Sequence, residues 1–237
     1  AGRRPLSRSS LASARIMVEP TTERVSTPSG DIHVHVWTPA TGTPTLTIVT
    51  VHPWATLGGG EHNCIGIARH LASRCGLRVI TFDMLSSWLV WGVVSAHRKE
   101  VRQVDAVCAW AHQRWGGRLV LFGSSAGGPI AGSALTDASG VEGLVTIGYT
   151  WGFPASIAFG RHFGGLLRCP KPKLFVQGEH DEFSSVATLN KMVGRATGQN
   201  KVVVVPEVGH FELESPAYDD HVAELTISWL RDAGLTS

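Results

Sequence analysis

The glycine pair around Ser125 is the strongest chemical signal in the chain. The segment Gly123-Ser124-Ser125-Ala126-Gly127 follows a short apolar run, Arg118–Phe122, and leads directly into a helix-forming stretch. A G-x-S-x-G at a strand–turn–helix junction presents a serine hydroxyl for nucleophilic attack. Such a turn leaves no room for side chains two residues to either side of the serine, and glycine alone supplies that space. Ser125 is therefore the expected nucleophile, and Ser124 lacks the placement. A hydroxyl needs a base to activate it, and the base needs an orienting acid. Both occur at later junctions of the same kind. Gly178-Glu179-His180-Asp181 follows the run Lys173–Gln177, and Val208-Gly209-His210-Phe211 follows Lys201–Val205. Of eleven histidines, His210 stands between the last strand and the terminal helix and is the expected base. Asp181 is the expected acid on its place in the loop, with Glu179 and Glu182 as competitors and His180 as a bystander.

Attack on a carbonyl develops an oxyanion, which needs hydrogen-bond donors. One is expected from the backbone N–H of Ala126, and the other from the loop His52-Pro53-Trp54-Ala55-Thr56-Leu57-Gly58-Gly59-Gly60. Pro53 has no N–H, so Trp54 is the expected donor. The three contiguous glycines do not spell the G-x-G-x-x-G of a dinucleotide site. His33 and His35 share one face of the first strand, but no carboxylate or cysteine spacing completes a metal site, and they read as surface-facing. Trp54 and Trp151 are the candidate pocket walls, among loop aromatics that include Trp88, Trp91, Phe153 and Phe159. Trp110, Trp115 and Trp229 fall at helical spacing and read as core.

These groups can meet only if several strands end on one edge of one sheet. The strand-like runs are Ile32–Trp37, Thr45–Val51, Arg78–Phe82, Arg118–Phe122, Gly143–Tyr149, Lys173–Gln177 and Lys201–Val205. Most are near-continuously apolar, which suits strands covered on both faces. Between them lie helix-period segments at Glu61–Cys75, His97–Trp115, Ala126–Ala138, Ser184–Ala196 and Ser215–Asp232, the last opening with Ser215 as N-cap and Pro216 at its first position. The alternation predicts a doubly wound, mostly parallel α/β sheet flanked by helices, with an antiparallel start where a Pro/Gly linker joins the first two runs. Reactive groups then gather at the carboxyl ends of the strands. Only about two dozen residues separate Gly143–Tyr149 from Lys173–Gln177, too few for a large cap domain, which predicts an open site.

With these motifs in place, the chain from Val18 to Leu230 resembles the α/β-hydrolase superfamily, and in particular its small lidless members of the esterase and dienelactone-hydrolase kind. The order Ser125, Asp181, His210 is that family's order. The resemblance implies an eight-stranded sheet, a Ser125–Asp181–His210 triad, and acyl-transfer chemistry on a small ester or thioester with neither metal nor organic cofactor. One departure stands out. Where many relatives carry a glycine- and arginine-rich turn after the fourth strand, this chain has Asp83-Met84-Leu85-Ser86-Ser87-Trp88-Leu89-Val90-Trp91. The apolar Leu85–Trp91 part suggests an altered pocket mouth or a docking surface.

Composition bounds the partners. The 237 residues carry 21 basic and 19 acidic side chains, a formal net charge of +2, and 17% charged residues. Residues 1–19 hold four arginines and one glutamate, so the tail carries +3 and the remainder, residues 20–237, carries −1. A near-neutral body excludes a polyanion-binding surface at the level of net charge, so no nucleic-acid partner is expected. The arginine- and serine-rich tail has the composition of an organellar transit segment, pointing to a plastid, with mitochondrion or cytoplasm as alternatives. No apolar run reaches the roughly 20 residues of a membrane span. Cys64, Cys75, Cys108 and Cys169 form no C-x-x-C pair and read as reduced, packed thiols. Two rival readings keep the fold without turnover: a ligand-binding protein, or a structural subunit that uses the tail and Leu85–Trp91 as protein contacts.

Overall fold

A computed structural model describes residues 18–53, 55, 58–85, 93–136, 138–151 and 163–236. The basic tail up to Met17, Trp54, Trp88, Trp91, Phe153, Phe159 and all of Leu85–Trp91 after its first residue lie outside the described residues. In chain order the strands are β1 (Thr21–Thr27), β2 (Gly30–Trp37), β3 (Leu46–Val51), β4 (Arg78–Phe82), β5 (Arg118–Ser124), β6 (Val141–Ile147), β7 (Lys173–Gly178) and β8 (Asn200–Val205). They form one sheet in the order β1-β2-β4-β3-β5-β6-β7-β8. The last six are parallel, and β2 runs antiparallel to both β1 and β4.

The helices are α1 (His62–Cys75), α2 (Val93–Trp115), α3 (Gly127–Ala134), α4 (Phe163–Arg168), α5 (Val186–Val193), α6 (His210–Leu213) and α7 (Asp219–Asp232). They divide between the two faces as the apolar runs require. One buried cluster packs Val104, Val107 and Ala111 of α2, Ile130 and Ala134 of α3, and Leu189 of α5 against Val49, Leu119, Leu121 and Phe175 of the sheet. The other packs Ile67 and Leu71 of α1 and Val222, Ile227 and Trp229 of α7 against Ile48, Val120, Phe122 and Val176. Each fully buried aliphatic side chain of this kind stabilises the fold by about 1.5–3 kcal/mol. Consecutive residues of the inner strands alternate between the clusters, which is why those strands read as unbroken apolar runs.

Several boundaries differ from the sequence expectation, each for a local reason. β1 was not among the expected strands: TTERVST buries only Val25, which pairs with Ile32, because an edge strand needs little apolar surface. The antiparallel start exists, but β2 pairs with β1 and β4 and not with the run that follows it. The expected Gly143–Tyr149 strand ends at Ile147, where Gly148 turns the chain at φ +57°. The expected Ser215–Asp232 helix divides into a 3-10 turn, Pro216–Tyr218, and α7, and Ser215 caps the turn with no side-chain bond. Val18, on the tail side of the expected boundary, is buried beside Trp37 and Leu46. Cys64, Cys108 and Cys169 are buried, Cys75 is half-buried, and all four are free thiols. Burial pushes the Cys64 and Cys75 thiols up to about 12 and about 11, which favours the protonated thiol over the thiolate.

Candidate active site

β5 delivers Ser125 to the sheet's carboxyl edge in a left-handed backbone conformation. Its φ is +50°, one of two positive values among non-glycine residues of the described structure, the other being Glu207. A side chain held there costs roughly 1–2 kcal/mol. Neighbouring elements hold it in place: the Ser125 N–H donates to the Ile147 carbonyl of β6 at 2.9 Å, and its carbonyl accepts from the Gly128 N–H at 2.9 Å. The flanking glycines are required by close approach. A Cβ at Gly123 would lie 2.6 Å from the Gly127 carbonyl oxygen, and one at Gly127 would lie 2.1 Å from that of Val51.

The three expected groups meet. The Ser125 hydroxyl donates to His210 Nε2 at 2.7 Å, and His210 Nδ1 donates to Asp181 Oδ2 at 2.5 Å. The other Asp181 oxygen accepts the backbone N–H groups of Phe183 and Ser184 at 2.9 and 2.8 Å, which fixes the carboxylate's orientation. The competing acids have other tasks. Glu182 accepts the backbone N–H of His210 at 3.0 Å, and Glu179 accepts that of Glu207 at 3.1 Å. That first bond draws the Glu182 carboxyl below its ordinary range. His180 is exposed and lies 3.5 Å from Glu207. Gly148 makes room for the imidazole: a Cβ there would sit 2.8 Å from His210 Cε1.

A fourth group stands beside His210. Glu214, one helical turn after His210, places Oε2 4.0 Å from His210 Nε2 and accepts a hydrogen bond from the Ser124 hydroxyl. Burial raises the Glu214 carboxyl above its usual range against the pull of Ser124 and His210. On His210 burial acts downward, but the Asp181 hydrogen bond and charge, with Glu214 and Glu182 behind them, outweigh it and raise the imidazole above 6.5. The i, i+4 spacing of His210 and Glu214 was the available signal, masked because α6 is a four-residue helix with no apolar period.

Of the expected oxyanion donors, Ala126 caps the N-terminus of α3, where the first N–H groups have no intrahelical acceptor. Trp54 is outside the described residues, but the turn leading to it is anchored. His52 donates from Nδ1 to the Pro53 carbonyl at 2.6 Å and accepts the Met84 N–H on Nε2 at 3.0 Å, so it is neutral and ties the end of β3 to the end of β4. Burial lowers its titration, consistent with that tautomer. Sequence reasoning gave His52 no role.

Two readings are corrected. Trp151, expected as a pocket wall, is 5% exposed and packs in the core on Tyr149 at 4.3 Å and Phe163 at 5.5 Å, because the chain turns inward after Gly148. His35 is not simply surface-facing: its Nδ1 lies 2.6 Å from the buried Glu61 carboxylate, which also accepts the Thr81 hydroxyl. Glu61 was hidden as a partner because 26 residues separate the two. Among the described residues, the His, Cys, Asp and Glu side chains near enough to share one ion are the exposed Glu179, His180 and Glu207.

A family model described as an alpha/beta hydrolase domain matches residues 95–228, more than half of the chain and inclusive of Ser125, Asp181 and His210. The chain belongs to the alpha/beta hydrolase family. Solved structures agree on the fold. An alpha-beta serine hydrolase homologue from Coxiella burnetii superposes with a TM-score of 0.72 at 22% identity, covering 89% of this chain and 97% of that one. A serine hydrolase without lid from Xanthomonas campestris gives 0.70 at 22% identity, covering 88% and 95%. A dienelactone hydrolase from Anabaena variabilis gives 0.67 at 16%, covering 92% and 99%. Among curated proteins none matches the chain. As an alpha/beta hydrolase the chain has the eight-stranded, mostly parallel sheet of the fold, and the described residues between β6 and β7 form one short helix, α4.

Proposed function

We propose that this alpha/beta hydrolase is a serine hydrolase that cleaves a small ester or thioester through an acyl-enzyme on Ser125. The observation that carries the reading is the continuous hydrogen-bonded line from the Ser125 hydroxyl through His210 to Asp181. As Ser125 Oγ attacks the acyl carbon, its proton passes to His210 Nε2, and Asp181 holds the ring and stabilises the imidazolium. The Ala126 N–H, with that of Trp54, takes the oxyanion, each such donor contributing about 3–4 kcal/mol of transition-state stabilisation. The leaving group departs with the proton from Nε2. Water then attacks the acyl carbon, with His210 again as base, and frees the acid.

Hydrolysis of p-nitrophenyl acetate and butyrate tests the reading, together with labelling of Ser125 by a fluorophosphonate. The Ser125→Ala variant is expected to lose both turnover and label while keeping its far-UV spectrum and melting temperature. An unlabelled wild-type serine would instead favour a ligand-binding role for the fold, and a Ser125→Ala variant as fast as wild type would remove Ser125 from the chemistry.

A further inference from the structure

The base of the triad is flanked by two phenyl rings that the acyl-transfer steps do not use. Phe183 lies against the His210 imidazole with ring centroids 4.6 Å apart at 57°, and Phe211 meets the same imidazole edge-on at 5.5 Å and 87°. The two phenyl rings cross each other at 5.6 Å and 85°. They remain 39% and 59% exposed, and only Leu85 joins them as an exposed large apolar side chain among the described residues. Exposed phenylalanine forgoes burial energy, so a perpendicular pair held open to water beside a reactive imidazole calls for an explanation.

The position of this corner relative to the chemistry follows from the path of the proton. When the tetrahedral intermediate collapses, the leaving oxygen must take its proton from His210 Nε2, while the acyl carbon stays bonded to Ser125. The alcohol half of the substrate therefore lies on the His210 side, where the two rings stand. The surrounding loops are acidic: Glu182 accepts the His210 N–H, Glu212 the Gly209 N–H and Glu179 the Glu207 N–H, with the Glu207 carboxylate 3.5 Å from His180. Such a rim repels anions. An aryl ring would find an edge-to-face or offset partner on either wall.

We propose that Phe183 and Phe211 form a leaving-group subsite that selects esters whose alcohol is uncharged and bears an aryl ring. The proposal rests on the serine-hydrolase reading above. It is tested with kcat/KM for benzyl butyrate, ethyl butyrate and 4-carboxybenzyl butyrate on the full chain, since benzyl alcohol and ethanol are leaving groups of similar acidity. The wild-type protein is expected to prefer benzyl over ethyl by about tenfold and to discriminate against the carboxybenzyl ester. In a Phe183→Leu/Phe211→Ser double variant, the benzyl-to-ethyl ratio is expected to fall to near one. Both side chains are exposed, and an unchanged melting temperature shows that the fold is intact.

A ratio that survives in the double variant overturns the subsite. So does an equal loss on both esters, which would make the rings a shield for the His210–Asp181 pair. A carboxybenzyl ester cleaved as fast as the benzyl ester overturns the selectivity against anions. Failure of the underlying reading looks different: neither ester is turned over and Ser125 takes no fluorophosphonate. A labelled Ser125 with no turnover of either ester removes the aryl-ester subsite alone.

Discussion

Two carboxylates face the His210 imidazole from opposite sides, Asp181 at Nδ1 and Glu214 toward Nε2, and Glu182 holds its backbone N–H. The consequence is a shifted pH profile. A base works only when neutral, so activity rises as pH climbs through the imidazole's titration, and a raised titration moves that limb upward. The acidic limb of kcat/KM is therefore expected above 6.5, the ordinary imidazole value. Glu214→Gln keeps an acceptor for the Ser124 hydroxyl but removes the charge, so the limb should move down toward that value. A limb that stays in place in Glu214→Gln, measured with p-nitrophenyl butyrate, would show that Glu214 does not act on the base. The proposed acid was legible only in part. Glu179, Asp181 and Glu182 sit within four residues, and what separates them is that the backbone N–H groups of Phe183 and Ser184 converge on Asp181 alone.

The turn after β5 illustrates why the proposed nucleophile was the most legible part of the candidate site. Its glycines are a steric demand that the sequence must meet, and the prediction at this scale tests the demand within one helix. A Gly127→Ala side chain would lie 2.1 Å from the Val51 carbonyl oxygen and 2.7 Å from that of His52, both backbone atoms with little freedom to yield. The expected cost is about 1–3 kcal/mol of stability, with a loss of turnover as Ser125 and the His52 turn are pushed apart. For Gly132, five residues further along α3, the nearest atoms to a new Cβ are those of the Leu166 side chain and the Tyr149 hydroxyl, at 3.4 Å. Gly132→Ala is expected to be neutral or to gain up to about 1 kcal/mol from helix propensity. Urea unfolding of the two variants reads both outcomes, and equal destabilisation would refute the steric account. Elements that satisfy no such demand were the ones missed. β1 carries a single buried side chain, and α6 is a four-residue turn whose role is to set His210 and Glu214 on one face.

At the scale of the whole molecule, Ser125, Asp181 and His210 meet at the carboxyl ends of the strands, while the amino ends carry none of the candidate site. The parallel topology and the crossover helices were readable because both-face burial leaves unbroken apolar runs. The aromatic surroundings of the site were not, since an aromatic residue on a loop looks the same in sequence whether it turns inward, as Trp151 does, or outward, as Phe183 and Phe211 do. At the amino end of β7 lies a group with no part in the site. Lys173 is fully buried, and its ammonium donates to the carbonyls of Cys169 at 2.6 Å, Lys171 at 2.9 Å and Thr197 at 2.9 Å, with Asn200 Oδ1 at 3.3 Å. Desolvation lowers its titration, yet these acceptors join the segments before β7 and β8 through one cation. Replacing it with a side chain of similar length and no charge takes the ammonium from the Cys169 and Lys171 carbonyls and leaves that of Thr197 to Asn200 Nδ2. Lys173→Met is therefore expected to lower unfolding free energy by about 2–5 kcal/mol. Because β7 runs from this clamp to the Asp181 loop, the variant also tests whether the two ends are independent. If they are, kcat/KM per fluorophosphonate-reactive serine will match wild type at a temperature where both are folded. A stability loss accompanied by a lower rate per labelled serine would show instead that the clamp at one end of β7 sets the geometry of the acid at the other.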